Sequence, residues 1–332
     1  MKIAIIGAGW VGCHLTKVLK DTHQVHLYEA SDVFELASSH NQNRLHQGFH
    51  YPRNHRTRVL CKDTFTRFVE EYGEFVVTVP KNIYAVAKES DIDLITYKNI
   101  LLADNIEFTE IKLPEVVNIQ GAIATGEMYI DAIKLKKYFK ELLKDNLIYQ
   151  QVINPNTLTK EYDLVINCTN NYLKDETIES YYELTISLVY EKIKEDLGFD
   201  ALTVVDGNFF SIYPYNQNLY TVTDVQYTPL CKGTDLNELL HKEYSINNQL
   251  INNISALIEK KVCNIYPNFL EDFKYKSYFT AIKSKTYNQT ADRHPVINVI
   301  DTKVINCFTG KIQGIYKIVE DVKKHIYEGT NR

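Results

Sequence analysis

The chain opens on an apolar run, residues 3–6, followed by a glycine cluster and then by Val11, Leu15, Val18 and Leu19 at helical spacing. A short apolar run bounded by glycine predicts a buried strand, and the three-and-four recurrence after it predicts a helix packed against that strand. QVHLYEA, residues 24–30, predicts a second strand. Further on, the pattern predicts a helix over about 57–72, strand character in FVVTVPKNIYAVA, a helix in ESDIDLITYKNILLADN behind a Ser or Asp cap, and an extended IEFTEIKLPEVVNI. EMYIDAIKLKKYFKELLKDN carries Ile130, Ile133, Leu135, Tyr138, Phe139, Leu142 and Leu143 at amphipathic helical spacing. Residues 164–166 form a buried strand, and Cys168, Thr169 and Asn170 a close-packed turn after it.

From about 181 to 276 the pattern changes to aromatic, alternating strands: ELTISLVYEKI, LTVVDGNFFSIYPYN and NLYTVTDVQYT, with one helical stretch around 236–260. Alternation of this kind predicts a half-buried antiparallel sheet, suited to carry a substrate. The closing RHPVINVIDTKVINCFTGKIQGIYKIVEDVKKHIYEG predicts strand, strand, glycine turn and helix, returning to the first fold, with Gly310 and Gly314 bringing backbone close to a ligand. The expected architecture is α/β with an α+β substrate part: a Rossmann-type nucleotide domain (1–78, 119–177 and 277–332) interleaved with an antiparallel-sheet substrate domain (79–118 and 178–276).

Length changes this picture little, since 332 residues accommodate two such units. Charges of both signs are mixed along the chain, with a net charge of -5, which excludes a general nucleic-acid binder. Cys13, Cys61, Cys168, Cys231, Cys263 and Cys307 are widely spaced, without CxxC or metal-type pairing with histidine; reduced thiols in a cytoplasmic protein and no metal are expected. The opening KIAIIGAGWVG is too short and glycine-rich for a membrane span, and no later segment is continuously apolar for membrane length.

Candidate chemistry starts with Gly7, Gly9 and Gly12, a GxGxxG between strand and helix. Gly7 permits the sharp turn, Gly9 lets backbone approach a pyrophosphate, and Gly12 lets helix and strand pack closely. The helix N-terminus offers N–H groups to phosphate, and Glu29 ends the second strand where a carboxylate grips ribose hydroxyls. The cofactor contacts expected here are Gly7, Gly9, Trp10, Val11, Gly12, Glu29 and Ala30. The motif alone fits NAD or FAD. After Glu29, however, the chain enters a long basic segment instead of a further βαβ unit: from Leu36 to Lys62 there is no carboxylate, while Arg44, Arg53, Arg56, Arg58, His40, His46, His50 and His55 crowd together.

On the residues GAGWVG…YE, SSHNQNRLHQGFHYPR, VINCTN and RHPVI…TGKIQG, the chain resembles the FAD-dependent D-amino-acid oxidase (DAO) superfamily, which includes glycine oxidase, sarcosine oxidase and members that oxidise 2-hydroxy acids. The resemblance covers nearly the whole chain. It implies non-covalently bound FAD, approached by Ser38, Ser39, Asn43, Arg44 and Leu45, by Cys168, Thr169 and Asn170, and by the closing turn of Gly310, Lys311, Ile312, Gln313 and Gly314. It places His46 near the ring beside the substrate pocket, Tyr213 and Tyr215 on the substrate sheet, and Arg293 close to the active site. The closing turn departs from the family, which commonly carries glycine and histidine there; Lys311 supplies the charge by the flavin or is an exposed helix-start lysine. Cys307 is the thiol nearest that turn in sequence and reads as a buried structural cysteine rather than a covalent anchor. Lys283 and Lys285 resemble the neighbourhood of an oxygen-activating lysine, on what reads as an exposed strand.

A reduced flavin and a carboxylate substrate are both anionic, and Arg44 and Arg53 carry the planar fork that suits them. His46 titrates near working pH and is the candidate proton acceptor. Arg56, Arg58, His40 and His55 read as solvent-facing, whereas His46, His50 and Tyr51 read as pocket or as core. The expected function is oxidation of a CH–NH or CH–OH bond in a small anionic substrate by hydride transfer to flavin N5, with O2 or another acceptor regenerating the flavin. RLHQGFHYPR also resembles a segment of proteins associated with surface-polysaccharide synthesis, which points to a glycan-precursor substrate. The alternatives are an NAD(P)-dependent dehydrogenase and a non-catalytic FAD-binding protein.

Overall fold

The computed structural model describes residues 1–150, 154–287 and 292–330. The chain divides into two compact units and passes repeatedly between them: unit 1 comprises residues 1–39, 132–181 and 284–332, and unit 2 residues 40–131 and 182–283. Unit 1 begins with β1 (Lys2–Ile6), α1 (Trp10–Leu19) and β2 (Gln24–Glu29). Unit 2 follows with β3 (Arg44–Leu45), α2 (His55–Tyr72), β4 (Val76–Thr78), β5 (Asn82–Ala87), α3 (Leu94–Ala103), β6 (Thr109–Ile111), β7 (Ile119–Thr125) and β8 (Met128–Ile130). The chain returns to unit 1 with α4 (Ala132–Leu142), β9 (Leu147–Tyr149), α5 (Pro155–Leu158) and β10 (Leu164–Asn167). It then runs through β11 (Ser180–Lys192), β12 (Ala201–Val205), β13 (Phe210–Asn216), β14 (Leu219–Asp224), β15 (Pro229–Gly233), α6 (Leu236–Tyr244), α7 (Asn248–Cys263), α8 (Phe269–Asp272) and β16 (Phe273–Thr286). Unit 1 closes with β17 (Val296–Val299), β18 (Val304–Phe308) and α9 (Ile315–Thr330).

Unit 1 is built on a six-stranded sheet in the order β17-β18-β10-β1-β2-β9. Its strands run parallel except for β17. The central strands are apolar on both faces, as a helix-covered parallel sheet requires: Ile3, Ala4, Ile5, Leu164, Val165 and Ile166 are buried. The C-terminal ends of β1 and β10 therefore open onto the glycine turn and onto residues 168–170, the position where an open α/β sheet receives ligands.

Unit 2 carries a nine-stranded sheet, β15-β11-β14-β13-β12-β5-β7-β6 with β16 also paired to β11, and a three-stranded sheet, β3-β8-β4. Ile251, Ile254, Ile258 and Val262 of α7 pack on Ile186, Leu188, Leu202 and Val222 of the large sheet in the principal core of unit 2.

Several sequence expectations change. The large sheet is mixed, because β5 runs parallel to β12. β11 is buried on both faces between Tyr182 and Tyr190 instead of half-buried. The helical stretch at 236–260 is two helices, since Asn247 accepts the Leu250 N–H and starts α7 afresh. The helix expected from Glu127 begins only at Ala132; Met128–Ile130 pair instead with β3 and β4. Residues 40–78 and 119–131, grouped from the sequence with the nucleotide domain, cluster with unit 2, where β7 pairs with β5 in the large sheet and β3, β4 and β8 pair with one another.

Candidate active site

In unit 1 four chain segments converge on the glycine turn. Gly7 sits at φ +97°, where a side chain is strained, and a Cβ there would lie 3.1 Å from the Cys168 carbonyl oxygen. A Cβ on Gly12 would lie 1.9 Å from the Gly7 oxygen, so no side chain fits. The Ala8 N–H donates to Glu29 Oε2 at 2.7 Å and the Ser31 N–H to Oε1 at 2.9 Å, holding the Glu29 carboxylate at the edge of the turn. The Trp10 N–H, first of α1, donates to Ser38 Oγ at 3.2 Å. Across β10 the Thr309 N–H donates to Asn170 Oδ1 at 3.3 Å, which joins the closing turn to residues 168–170. In that turn Thr309 Oγ1 donates to the Lys311 carbonyl at 2.8 Å, and the stem of Arg293 lies across Gly310, its Cδ 2.8 Å from where a Cβ would be. Gln313 and Gly314 are buried beneath it. Glycines without room for a Cβ, the start of a ten-residue helix and a carboxylate after β2 are the parts that hold a dinucleotide, and these residues fit FAD.

Unit 2 contributes a buried polar cluster. Arg44 is 6% exposed. Its Nη1 donates to Thr203 Oγ1 on β12 at 2.8 Å, and its guanidinium lies 3.9 Å from the Tyr213 ring centroid, a cation–π contact. Nε and Nη2 are buried and meet no hydrogen-bond partner among the described residues. Two residues on, His46 places Nδ1 3.2 Å from Glu127 Oε1. Glu127 is fully buried, and it also accepts the Tyr84 hydroxyl at 2.6 Å and the Gln47 N–H at 2.9 Å. Burial alone would push this carboxyl up; the His46 ring, the hydrogen bonds from His46 and Tyr84 and the Arg44 charge outweigh it and hold Glu127 below its ordinary value. Burial and the neighbouring Glu127 push the Tyr84 hydroxyl well up, so it remains a donor.

The other expected residues are placed as follows. His50 and Tyr51 pack against His46 in tilted and edge-on geometry, their ring centroids 5.3 and 5.6 Å from that of His46. Tyr213 lies beneath Arg44 with its hydroxyl already engaged, donating to the Met128 carbonyl at 3.0 Å and accepting from Asn82 Nδ2 at 3.2 Å; burial pushes its pKa up. Tyr215 stacks on Phe279. Arg53 is 59% exposed and its Nε pairs with Asp206 at 3.0 Å. Asn43, at φ +48°, and Leu45 are buried beside Arg44 in the chain. Arg293 and Lys311 belong to unit 1. Arg58, expected in solvent, is buried: it is bound to Asp104 and donates to the Tyr51 and Pro52 carbonyls, bracing the 50–53 loop. Arg56 and His55 are exposed as expected. Lys283 and Lys285, expected on an exposed strand, are partly covered.

The residues that sequence reasoning missed are Asn82, Tyr84, Glu127 and Thr203. A usable signal existed for Glu127, a single acid between apolar strand-like runs in GAIATGEMYI, where burial needs a partner.

A glycine cradle of this kind in unit 1, in a chain that also carries a buried arginine and histidine, fits a nucleotide-dependent oxidoreductase. The match to known proteins makes it specific: residues 2–311 fit the DAO family, described as FAD dependent oxidoreductase, and the chain belongs to that family. FAD is its cofactor and it is an enzyme. The nicotinamide alternative and the non-catalytic reading therefore fall away. The FAD-dependent monooxygenase FPY4 of Fusarium mangiferae is 32% identical over 95% of this chain and 88% of its own. The FAD-dependent monooxygenase kojA of Aspergillus flavus is 26% identical over 97% and 85%. Among solved structures, glycine oxidase from Geobacillus kaustophilus is 13% identical with TM-score 0.73, covering 98% of this chain and 94% of its own. The L-α-glycerophosphate oxidase of Mycoplasma pneumoniae is 14% identical with TM-score 0.74, covering 98% and 94%. At those identities the structures share the fold. No helix among the described residues is long and apolar enough to cross a membrane.

Proposed function

We propose that the enzyme oxidises a CH–NH or CH–OH bond in a small substrate that carries a carboxylate, and that Arg44 receives that carboxylate. One observation carries this reading: a buried guanidinium whose Nη1 and face are occupied while its Nε and Nη2 edge is not. That edge presents two parallel N–H groups, the geometry that takes both oxygens of a carboxylate. Buried N–H donors without an acceptor carry an unreturned desolvation cost, so an anionic ligand at this edge makes a hydrogen-bonding interaction that the fold leaves open.

Oxidation of such a bond removes a hydride from carbon and a proton from nitrogen or oxygen. FAD, when bound, supplies the hydride acceptor at N5. The chain supplies the acceptor for the proton, and His46, two residues from Arg44 and hydrogen-bonded to Glu127, has the chemistry for it. His50 and Tyr51 form the wall beside it.

The test is anaerobic bleaching of the visible flavin absorption by amino acids, hydroxy acids and sugar acids, compared with the same compounds lacking the carboxylate. Bleaching that depends on the carboxylate, and weakens in Arg44→Lys, supports the reading; bleaching indifferent to both overturns it. Denaturation and filtration of the same sample should release the flavin, as non-covalent binding requires. A second reading, oxygen insertion, draws on the names of the FPY4 and kojA relatives. It needs an external two-electron donor of the reduced-nicotinamide class, whose electrons carry the second oxygen atom to water, and it predicts no anaerobic bleaching by substrate alone and a product that carries one atom of labelled O2.

A further inference from the structure

We infer that Glu127 is the positioning residue that sets the tautomer and basicity of His46; this rests on the proton-acceptor role proposed above. The pairing is built into the sheet. β3 and β8 run antiparallel with Arg44 opposite Tyr129 and Leu45 opposite Met128, so extending the register by one residue brings His46 opposite Glu127. The acid is pinned at both ends. Its carbonyl accepts from Asn82 Nδ2 at 3.0 Å, while its carboxylate takes the Tyr84 hydroxyl at 2.6 Å and the Gln47 N–H at 2.9 Å. Asn82 and Tyr84 stand two apart on β5 and so project from one face of the strand.

The chemistry follows from what an ionised carboxylate can do. It only accepts hydrogen bonds, and His46 Nδ1 lies 3.2 Å from one oxygen and 3.3 Å from the other, so Nδ1 must be the protonated nitrogen. In the neutral ring the lone pair is then on Nε2, and proton exchange runs through that nitrogen. Once Nε2 takes a proton, the imidazolium faces a buried counter-charge, which raises its affinity for that proton. The groups around the pair are Arg44 on β3, Tyr84 on β5, Tyr97 on α3, Tyr213 on β13, and His50 and Tyr51 in the loop. Of these Arg44 carries a fixed positive charge that opposes protonation of His46, which leaves Glu127 as the charge that favours it.

Imidazole nitrogen NMR of the histidine-labelled holoenzyme tests this without any substrate, with the His46 signals assigned by their loss in His46→Gln. In the wild type at high pH, His46 should show Nδ1 protonated and Nε2 bare. In Glu127→Gln, which keeps the shape and the neighbours, the His46 pKa should fall by about one unit or more and the tautomer preference should weaken, while Glu127→Asp restores most of the pKa. With a substrate in hand, kcat of Glu127→Gln should fall at least tenfold with KM little changed, and the alkaline and acid limbs of its pH profile should be re-measured for an acidic shift of the His46 limb. A wild-type His46 protonated on Nε2, or a pKa and tautomer untouched by Glu127→Gln, overturns the inference, and the wild-type tautomer alone can do so if the variant does not fold. If the NMR result holds while no CH–NH or CH–OH compound bleaches the flavin, the proposed function fails and the role of Glu127 toward His46 stands.

Discussion

The glycine turn of unit 1 and the polar cluster of unit 2 are built by opposite means. In unit 1 the cradle is backbone: the turn into a helix start, shaped by glycines whose side chains would collide with the Gly7 and Cys168 oxygens. In unit 2 it is a set of side chains, Arg44 from β3, Thr203 from β12, Tyr213 from β13 and Glu127 beside β8, each held by another. A backbone cradle tolerates little change at a few positions and is indifferent to most others. A side-chain cluster can be altered one group at a time, and each change leaves a specific group without its partner.

That contrast can be broken most severely at Gly12. Gly12→Ala puts a methyl group where 1.9 Å is available to the Gly7 oxygen, so the turn must shift. The purified variant should be colourless or hold FAD at least 100-fold more weakly, with an overpacking cost of about 1–3 kcal/mol in stability; a yellow, fully loaded Gly12→Ala would show that the close approach does not matter. Next in size is Arg44→Met. Losing a two-point, charge-assisted contact of about 3 kcal/mol should raise KM for an anionic substrate on the order of 100-fold, while flavin content, read by absorbance, stays that of the wild type. Loss of the flavin along with the substrate would erase the division of labour between the two units.

A smaller effect concerns acid stability. The Glu127 carboxyl is held below its ordinary value of 4.5, so its contribution to stability is fully present above that pH and is lost as pH falls through the lowered folded value. Thermal melts from pH 7 down to pH 3 should therefore show a shallower acid decline for Glu127→Gln than for the wild type; parallel curves would mean that the carboxylate is not ionised in the fold. The smallest change is expected at Arg53, whose ion pair with Asp206 is on an arginine 59% exposed. Arg53→Ala should cost under about 1 kcal/mol in a melt. A tenfold rise in KM in that variant would place Arg53 in the substrate site after all.

The same contrast explains what could be read before the structure was known. The turn of Gly7, Gly9 and Gly12, Glu29 after β2, the strand at 164–167 and the closing glycine turn were legible because each is a local pattern whose spacing is dictated by one bend of the backbone. Arg44 and His46 were legible as residue types in an unusual basic stretch. Their partners were not. Glu127 is 81 residues from His46, Thr203 is 159 from Arg44 and Asn82 is 131 from Tyr213, and they meet through strand register, which no short window contains. Glu127 was also hidden by its neighbours, since MYI followed by an amphipathic run reads as the start of a helix, whereas pairing with β3 and β4 overrides that local preference. Arg58 misled for a related reason: a helix-start arginine is usually wet, but here Asp104 and two loop carbonyls take it inside.

The alternation of the chain between the two units, at 39/40, 131/132, 181/182 and 283/284, has a consequence for biosynthesis. The parallel sheet of unit 1 receives β1 and β2 first, β10 about 160 residues later, and β18 only after all of unit 2 has emerged. During translation the residues of the glycine turn therefore emerge long before Cys168, against which Gly7 packs, and before the strand that flanks β10. Free flavin has a complete cradle to bind only near the end of that sequence, which makes cofactor supply a late event in the maturation of each molecule.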